Sequence, residues 1–481
     1  MADRKLNSRR RFLLSAAAGS TLVLGCKPVA DEETKPSTPV TRRDVPLRVL
    51  LCGNERWADT LKTAWSGIAE QPLQITVLDP RKLDAAEWQS SVIKANSMCD
   101  VAIVPSGLIP ALDSVSGITP PNEEWLGPEG VDAASMYPML REGLMKFAGR
   151  QLSVPLGAIQ PALAVAASAF EGKAMQMPSD WGGYIELAKQ LNANKPDDAP
   201  ESVVAEPLAD GAAGKMFLWR ASSADPTIWL FDRESFEPVI DGEQYVEALE
   251  SMKQCVALYG NARLTDGEVW SQMASGRLKL AIAWPAIAAN AERIEEITDW
   301  EFSSFPPMRG SSQDNDATLS ASPVPTLLDI DSPVAILSSH CRQSDSAKGF
   351  MKWLVGGEGT GMIKNAVTGL TNVRGSSSSD SARTATRDAD ENGSSEESNA
   401  TQYNAVLASA LSSLRIRTPL QLLEYRQYAK ALDEAVLRCL DGKQTASEAL
   451  SSAASDWKNL TNKIGKKEQM RAWRRAQGLR S

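Results

Sequence analysis

Among its 481 residues the chain has a single histidine, His340. Any imidazole-based catalytic triad would have to use that ring, and no G-x-S-x-G elbow accompanies it, so hydrolase chemistry of that type finds no support. There is no CxxC pair either: six cysteines, at 26, 52, 99, 255, 341 and 439, are spread without metal-like spacing. This argues against a zinc framework, and Cys52, Cys99 and Cys255, each among apolar neighbours, read as small core residues. Basic excess is missing as well, since the formal charge is −9, which argues against nucleic acid as a partner. Gly356 to Gly361 (GGEGTG) lacks the Gly-Lys-Ser/Thr ending of a phosphate loop and, following a helical stretch, reads as a terminating turn. No internal repeat is visible, no cofactor motif is found and none is expected.

What is present begins with the first 26 residues. Ser8 to Leu14 (SRRRFLL) places Arg9 and Arg10 ahead of an uncharged apolar run, Leu13 to Gly25, that stops at Val23-Leu24-Gly25-Cys26. Such a run, at about 1.5 Å per residue, cannot cross a hydrocarbon core of about 30 Å. It reads as an export signal over residues 1–25 rather than a membrane helix. The paired arginines resemble a twin-arginine signal, and Leu-Gly-Cys resembles a lipoprotein processing site that leaves a lipidated Cys26 at the start of the mature chain. Removing a segment with five basic residues and one acidic one takes the charge from −9 to about −13. Residues 26–46 are polar and proline-rich, a tether that lets a folded body stand off the membrane.

From Leu47 the pattern becomes α/β. LRVLLC and LQITVL read as strands, Ala58, Leu61, Ala64, Trp65 and Ile68 mark a helix face between them, and DVAIV from Asp100 is a third strand. Short apolar strands alternating with helices imply a largely parallel sheet covered on both faces. Ser179 caps a helix whose stripe is Trp181, Ile185, Ala188 and Leu191, and Thr445 with Glu448 forms a capping box ahead of a stripe running to Ile464. Gly310 to Asp316 looks loose, and residues 375–400, with almost no apolar side chain, read as a disordered insertion.

Several phrases in order carry a resemblance. They are Gly149 to Pro155 (GRQLSVP), Phe170 followed by Met177 to Trp181 (MPSDW), Trp270 to Pro285 (WSQMASGRLKLAIAWP), Phe302 to Pro306, Lys348 to Leu354 (KGFMKWL) and Thr445 to Gly465. Together they resemble the extracellular solute-binding proteins of ATP-driven importers, in the large family that includes carbohydrate binders. Residues 164–169 (AVAASA) depart from the "Y-N-K" that many relatives carry before the phenylalanine. The resemblance implies a two-lobe, periplasmic-binding-protein-like α/β fold with a ligand cleft between the lobes. It implies lobes of 47–154 with 303–343, and 155–302 with 344–481. It implies no enzyme, but a monomer that captures a small solute, expected to be a sugar or oligosaccharide, and delivers it to a membrane permease while its lipid anchor holds it at the cell envelope. A ligand sensor of the same fold is the alternative, and a secreted enzyme a remote one.

Sugar binding asks for aromatic faces that stack on the ring and planar polar groups that hold hydroxyl pairs. Trp284 ends the AIAW strand where a relative's tryptophan stacks on ligand. Trp57, Glu55 and Arg56 follow the first strand, and Ser106 and Gly107 the third, at the end of an open sheet where ligands bind. Gln160 follows the first crossing between lobes, and Trp219 and Trp229 lie in a segment that contributes an aromatic in some relatives. Trp181, Trp353 and Trp457 fall in helix stripes and read as core.

Overall fold

A computed structural model describes residues 44–170, 177–196, 200–209, 211–224, 226–261, 263–283, 300–304, 306, 308, 325–364, 370–375, 399–418 and 420–479. Arg9, Arg10, Cys26, Trp284, the stretch from Gly310 to Asp316 and residues 376–398 of the expected insertion lie outside them.

The chain opens with β1 (Leu47–Cys52), α1 (Glu55–Ser66), β2 (Leu73–Leu78), α2 (Ala85–Asn96), β3 (Val101–Pro105) and the short β4 (Ile118–Thr119). Asn54 and Asp84 start the two helices by accepting from the backbone N–H of Trp57 and Ala86. β1 pairs in parallel with both β2 and β3. After β5 (Val154–Pro155) the chain crosses to a second sheet made from β6 (Ala162–Ala166), β7 (Val204–Ala205), β8 (Leu280–Ala283) and β9 (Trp300–Ser303). Its helices include α3 (Trp181–Ala193), α4 (Ala213–Ser223) and α5 (Glu243–Val256). The second sheet runs β9-β6-β8-β7.

The return crossing holds β10 (Thr326–Leu327) and ends in β11 (Pro333–Ser338), which enters the first sheet antiparallel to β3. That sheet therefore runs β2-β1-β3-β11-β4, with β5 also on β11. Then come α6 (Ser344–Leu354), α7 (Gly357–Lys364), α8 (Asn399–Leu411), β12 (Ile416–Arg417) beside β10, α9 (Tyr425–Leu440), α10 (Ala446–Ile464) and α11 (Lys466–Ala476).

Three local expectations are corrected. The α3 cap is Asp180 rather than Ser179, because the Asp180 carboxylate accepts from Gly183 N at 2.8 Å. GGEGTG ends one helix and also begins the next: Gly356 N donates to Trp353 O at 3.0 Å where α6 closes, α7 starts at Gly357, and Gly359 packs so closely on that turn that a Cβ would sit 2.1 Å from Trp353 O. Asn399 and Ala400, assigned to the insertion, open α8. The structure also places α6 and α7 with the first sheet rather than with the second lobe. Phe350 and Trp353 of α6 sit 5.1 and 5.5 Å from Trp65 of α1, ring centroid to centroid. Cys52, Cys99, Cys255 and Cys439 are buried free thiols.

Asp100 ties the first sheet together. Its buried carboxylate accepts from Arg48 N, Nε and NH2 at 3.1, 3.0 and 2.6 Å and from Arg342 N at 2.8 Å, joining β1 to the turn after β11. Burial works against its charge, but the hydrogen bonds from Arg48 and Arg342 N and the Arg48 charge together more than offset this and hold the carboxyl below its ordinary value. A depressed folded pKa means stability present above the unfolded value of about 3.9 and lost as pH falls below it. Asp100→Asn is expected to cost roughly 2–3 kcal/mol at pH 7 in urea unfolding. The gap to the wild type should narrow below about pH 4.

Candidate ligand cleft

In an open α/β sheet a ligand crevice forms outside the carboxyl ends of strands where the order reverses. Here the chain moves from β1 to β2 on one side and then to β3 on the other, so those ends are Gly53-Asn54 and Ser106-Gly107. Neither glycine has room for a side chain. A Cβ on Gly53 would stand 2.7 Å from the Trp57 ring, and one on Gly107 would stand 2.5 Å from Ile330 Cγ1 and 3.0 Å from Tyr425 Cε2. Ser106 is buried and donates its hydroxyl to Ile330 O at 3.0 Å, while Gly107 N donates to the same carbonyl at 3.0 Å.

Gly107 thus meets two distant parts of the chain, the return crossing at Ile330 and the start of α9 at Tyr425. The carboxylates on either side of Ile330 meet Lys215, from the first turn of α4 in the other half. Lys215 Nζ lies 2.5 Å from Asp331 and 3.3 Å from Asp329. Tyr425 donates its hydroxyl to Asp331 Oδ1 at 3.3 Å, and Asp331 N donates to Asp329 Oδ1 at 2.8 Å.

α9 touches both halves. Near its start Glu424 N donates to Gln89 Oε1 at 2.7 Å and Arg426 donates to Pro80 O at 2.9 Å, both on the first-sheet side. Further along, Asp433 accepts from Gly211 N and Gly214 N, each at 2.7 Å, and so fixes the start of α4 beside Lys215. Glu424 holds a left-handed backbone at φ 56°, a conformation uncommon for a residue with a side chain, next to Tyr425.

The charges are divided unequally. Burial raises the Asp329 carboxyl, with Lys215 only partly countering it and Asp331 adding to the rise. At Asp331 burial is outweighed by Lys215, Arg426 and the Tyr425 hydroxyl, so this carboxyl is held below the ordinary value. Lys215 is raised above its usual value, since the two carboxylates overcome its burial. The result is an anionic pair, one cation and one phenol that can accept from and donate to hydroxyl groups. Among the described residues no group of three or more His, Cys, Asp or Glu side chains is placed to hold a metal ion.

The expected site residues are distributed as follows. Ser106 and Gly107 stand in this cluster. Trp57 lies at the neighbouring strand end, 5% exposed, packed in the core with its indole Nε1 unpartnered among the described residues. Glu55 and Arg56 are exposed on the first turn of α1, and Arg56 lines a groove between α1 and α7 with Trp353 and Met362. Gln160 is buried in the outward crossing and donates to Leu327 O at 2.9 Å, tying one crossing to the other.

Trp219 is buried in the middle of α4. Trp229 follows the opposite end of α4 from Lys215, a helix of 11 residues, or about 16 Å at 1.5 Å per residue. Its Nε1 donates to Thr418 O at 2.7 Å, and its ring stacks on Tyr245. Trp229 is therefore set apart from the cluster around Lys215, whereas Trp219 lies one helical turn after Lys215 on α4. Sequence reasoning missed Lys215, Asp329, Asp331 and Tyr425. The usable signal was Asp-Ile-Asp at the foot of an apolar strand.

Residues 98–390 match the family of bacterial extracellular solute-binding proteins, and the chain belongs to that family. No curated protein matches the chain by sequence. Solved structures with the same fold include the sugar-binding protein MalE of Xanthomonas citri, with a TM-score of 0.61 at 13% identity over 87% of this chain and 98% of that one. A solute-binding protein of an ABC transporter from Agrobacterium radiobacter, solved with ribitol, gives 0.62 at 16% over 86% and 98%. The maltose-bound MalE3 of T. maritima gives 0.59 at 15% over 86% and 100%. The fold is that of two-lobe solute-binding proteins, and the protein is by family a binder of solutes rather than an enzyme.

Proposed function

We propose that this protein captures a sugar or polyol between its two lobes, closes on it about the crossings at 155–162 and 327–333, and presents the closed form to the permease of an ATP-driven importer. The observation that carries the reading is the convergence of Lys215, Asp329, Asp331 and Tyr425, from both sides of the crossing, on the carboxyl end of β3. Carboxylates, an ammonium and a phenol arranged this way suit neighbouring hydroxyls, which both donate and accept. The ligands named for similar structures, ribitol and maltose, are of that chemistry.

Closure follows from differential affinity: a solute that touches both lobes stabilises the closed state by the contacts it lacks in the open one. Arg9 and Arg10 would direct export of a folded body, and a lipidated Cys26 would keep it beside its membrane partner. Several acyl chains hold firmly where one alone anchors marginally.

Thermal-shift screening of the processed protein against sugars, polyols, oligosaccharides, amino acids and peptides tests this. A ligand at 100 times its Kd adds roughly 2.7 kcal/mol of stability, which moves the melting temperature by several degrees. Stabilisation by a carbohydrate or polyol is expected; stabilisation by amino acids or peptides alone would overturn the reading.

A further inference from the structure

The first sheet has an end that the cleft does not use. β1, β2 and β3 run in parallel, and β4, antiparallel to β11 as β3 is, runs the same way. Their amino ends therefore lie together, opposite the carboxyl ends at Gly53 and Ser106. The register lines them up in one row: Arg48 pairs with Gln74, Asp100 N donates to Arg48 O at 2.8 Å, Ser338 N donates to Asp100 O at 3.1 Å, and Ser338 pairs with Ile118.

Just ahead of this row stand four exposed apolar side chains, one in each turn: Val45 before β1, Ile68 before β2, Met98 before β3 and Val115 before β4. One such residue alone is ordinary. Four at the feet of four strands of one sheet make a common apolar end, and Met362 of α7 extends it through the groove it shares with Ile68. The exposed charges beside them, Asp44 and Glu70 against Lys94 and Arg342, balance.

The turns are held in place. Gln71 donates to Val45 O and to Gln343 Oε1, each at 2.7 Å, and Gln343 donates to Pro46 O at 2.9 Å. On the other side Asn96 donates to Gly117 O at 2.8 Å and accepts at its own carbonyl from the Ser338 hydroxyl at 2.8 Å. An end so fixed loses little freedom on contact with a partner.

The same end receives the chain from Cys26. The described body begins there, at Asp44, and a segment as long as that from Cys26 to Asp44 spans at most about 65 Å. We propose that this end of the first sheet rests on the lipid bilayer, with Val45, Ile68, Met98 and Val115 in the boundary between headgroups and acyl chains and the carboxyl ends of the strands turned to solvent. The inference rests on the reading of Cys26 as the lipid anchor. A tether so attached raises the local concentration of the surface, so a weak contact suffices. Balanced charge makes the apolar boundary, rather than headgroup charge, the feature recognised.

Co-sedimentation of the mature chain carrying Cys26→Ser, which has no acyl group of its own, with phosphatidylcholine vesicles at millimolar lipid tests this apart from the anchor. Partition is expected, and it should be unchanged between about 0.1 and 0.5 M salt. Ile68→Ser, Met98→Ser and Val115→Ser together should weaken it by about tenfold or more, with the melting temperature unchanged because all three are exposed, and Met98→Leu should preserve it. The proposal is overturned if the chain does not partition, if the triple variant partitions equally, or if salt abolishes the binding. It is also overturned if partition needs removal of residues 27–43, which would make that segment the cover, or if the chain is a dimer that the triple variant splits, which would give this end to a second copy. Acylation is read separately, from the mass of wild-type chain extracted from cell envelopes: an unacylated chain whose Cys26→Ser form still partitions would remove the anchor and leave the lipid-binding end standing.

Discussion

Arg220→Ala is expected to destabilise the protein by roughly 3–5 kcal/mol, read as a lower urea midpoint at unchanged slope. Both Arg220 in α4 and Glu206 after β7 have fully buried side chains. Arg220 NH2 is 3.0 Å from each Glu206 oxygen, NH1 is 3.3 Å from one of them, and the guanidinium lies 3.6 Å above the Trp181 ring. Truncating the arginine strands a carboxylate in the core beside an opened cavity, the costly way to break such a pair.

Burial already raises the Glu206 carboxyl, with Arg220 as the main restraint on that rise. A raised folded pKa means the protonated form is the more stable one, so the deficit of Arg220→Ala should shrink as pH falls from 7 toward the unfolded value of about 4.3. Replacing both partners, Arg220→Met with Glu206→Leu, should cost less than either single change, since no charge is then left buried alone. A double variant as unstable as the sum of the singles would show that shape, not charge, governs the pocket.

The sequence was most readable where interactions are local. Apolar strands at Leu47–Cys52 and Leu73–Leu78 appear as their composition demands, and the Thr445 capping box forms with Glu448 N donating to Thr445 Oγ1 at 3.2 Å. Local signals erred where two neighbours compete, as Asp180 outcompetes Ser179 for the α3 cap. They are also silent about partners: the stripe holding Phe350 states that α6 buries a face, yet nothing in it names α1 as the surface that covers that face.

Candidate site residues were harder for the same reason. Tryptophans stand out in a sequence, but Trp219 serves the core and Trp229 a different recess. Asp329 and Asp331 look like a solvated turn between strands. Only contacts spanning 114 residues to Lys215 and 94 to Tyr425 make them a cluster, and no periodicity encodes such a distance.

Asp331→Lys is expected to weaken solute binding by about 5–150-fold, the range typical of a coupling between a conformational equilibrium and a ligand. Asp331 faces Lys215 at 2.5 Å and accepts from Tyr425, with Arg426 adding to the positive field around it. A lysine there turns attraction into repulsion across the crossing, and a smaller closed population lowers apparent affinity in proportion. Small-angle scattering of the unliganded variant should report a larger radius of gyration, and calorimetry with the solute found by screening should report the loss. Exchanging the charges, Asp331→Lys with Lys215→Asp, should recover part of both. Because Asp331 is held below the ordinary carboxylate value, the wild-type bridge is present above the unfolded pKa of about 3.9 and is lost only as pH falls below it, so the contribution of this bridge to solute affinity should be flat from pH 8 down to about 5. Weaker binding at an unchanged radius would leave Asp331 a solute contact without a part in closure, and an unchanged affinity would remove both roles.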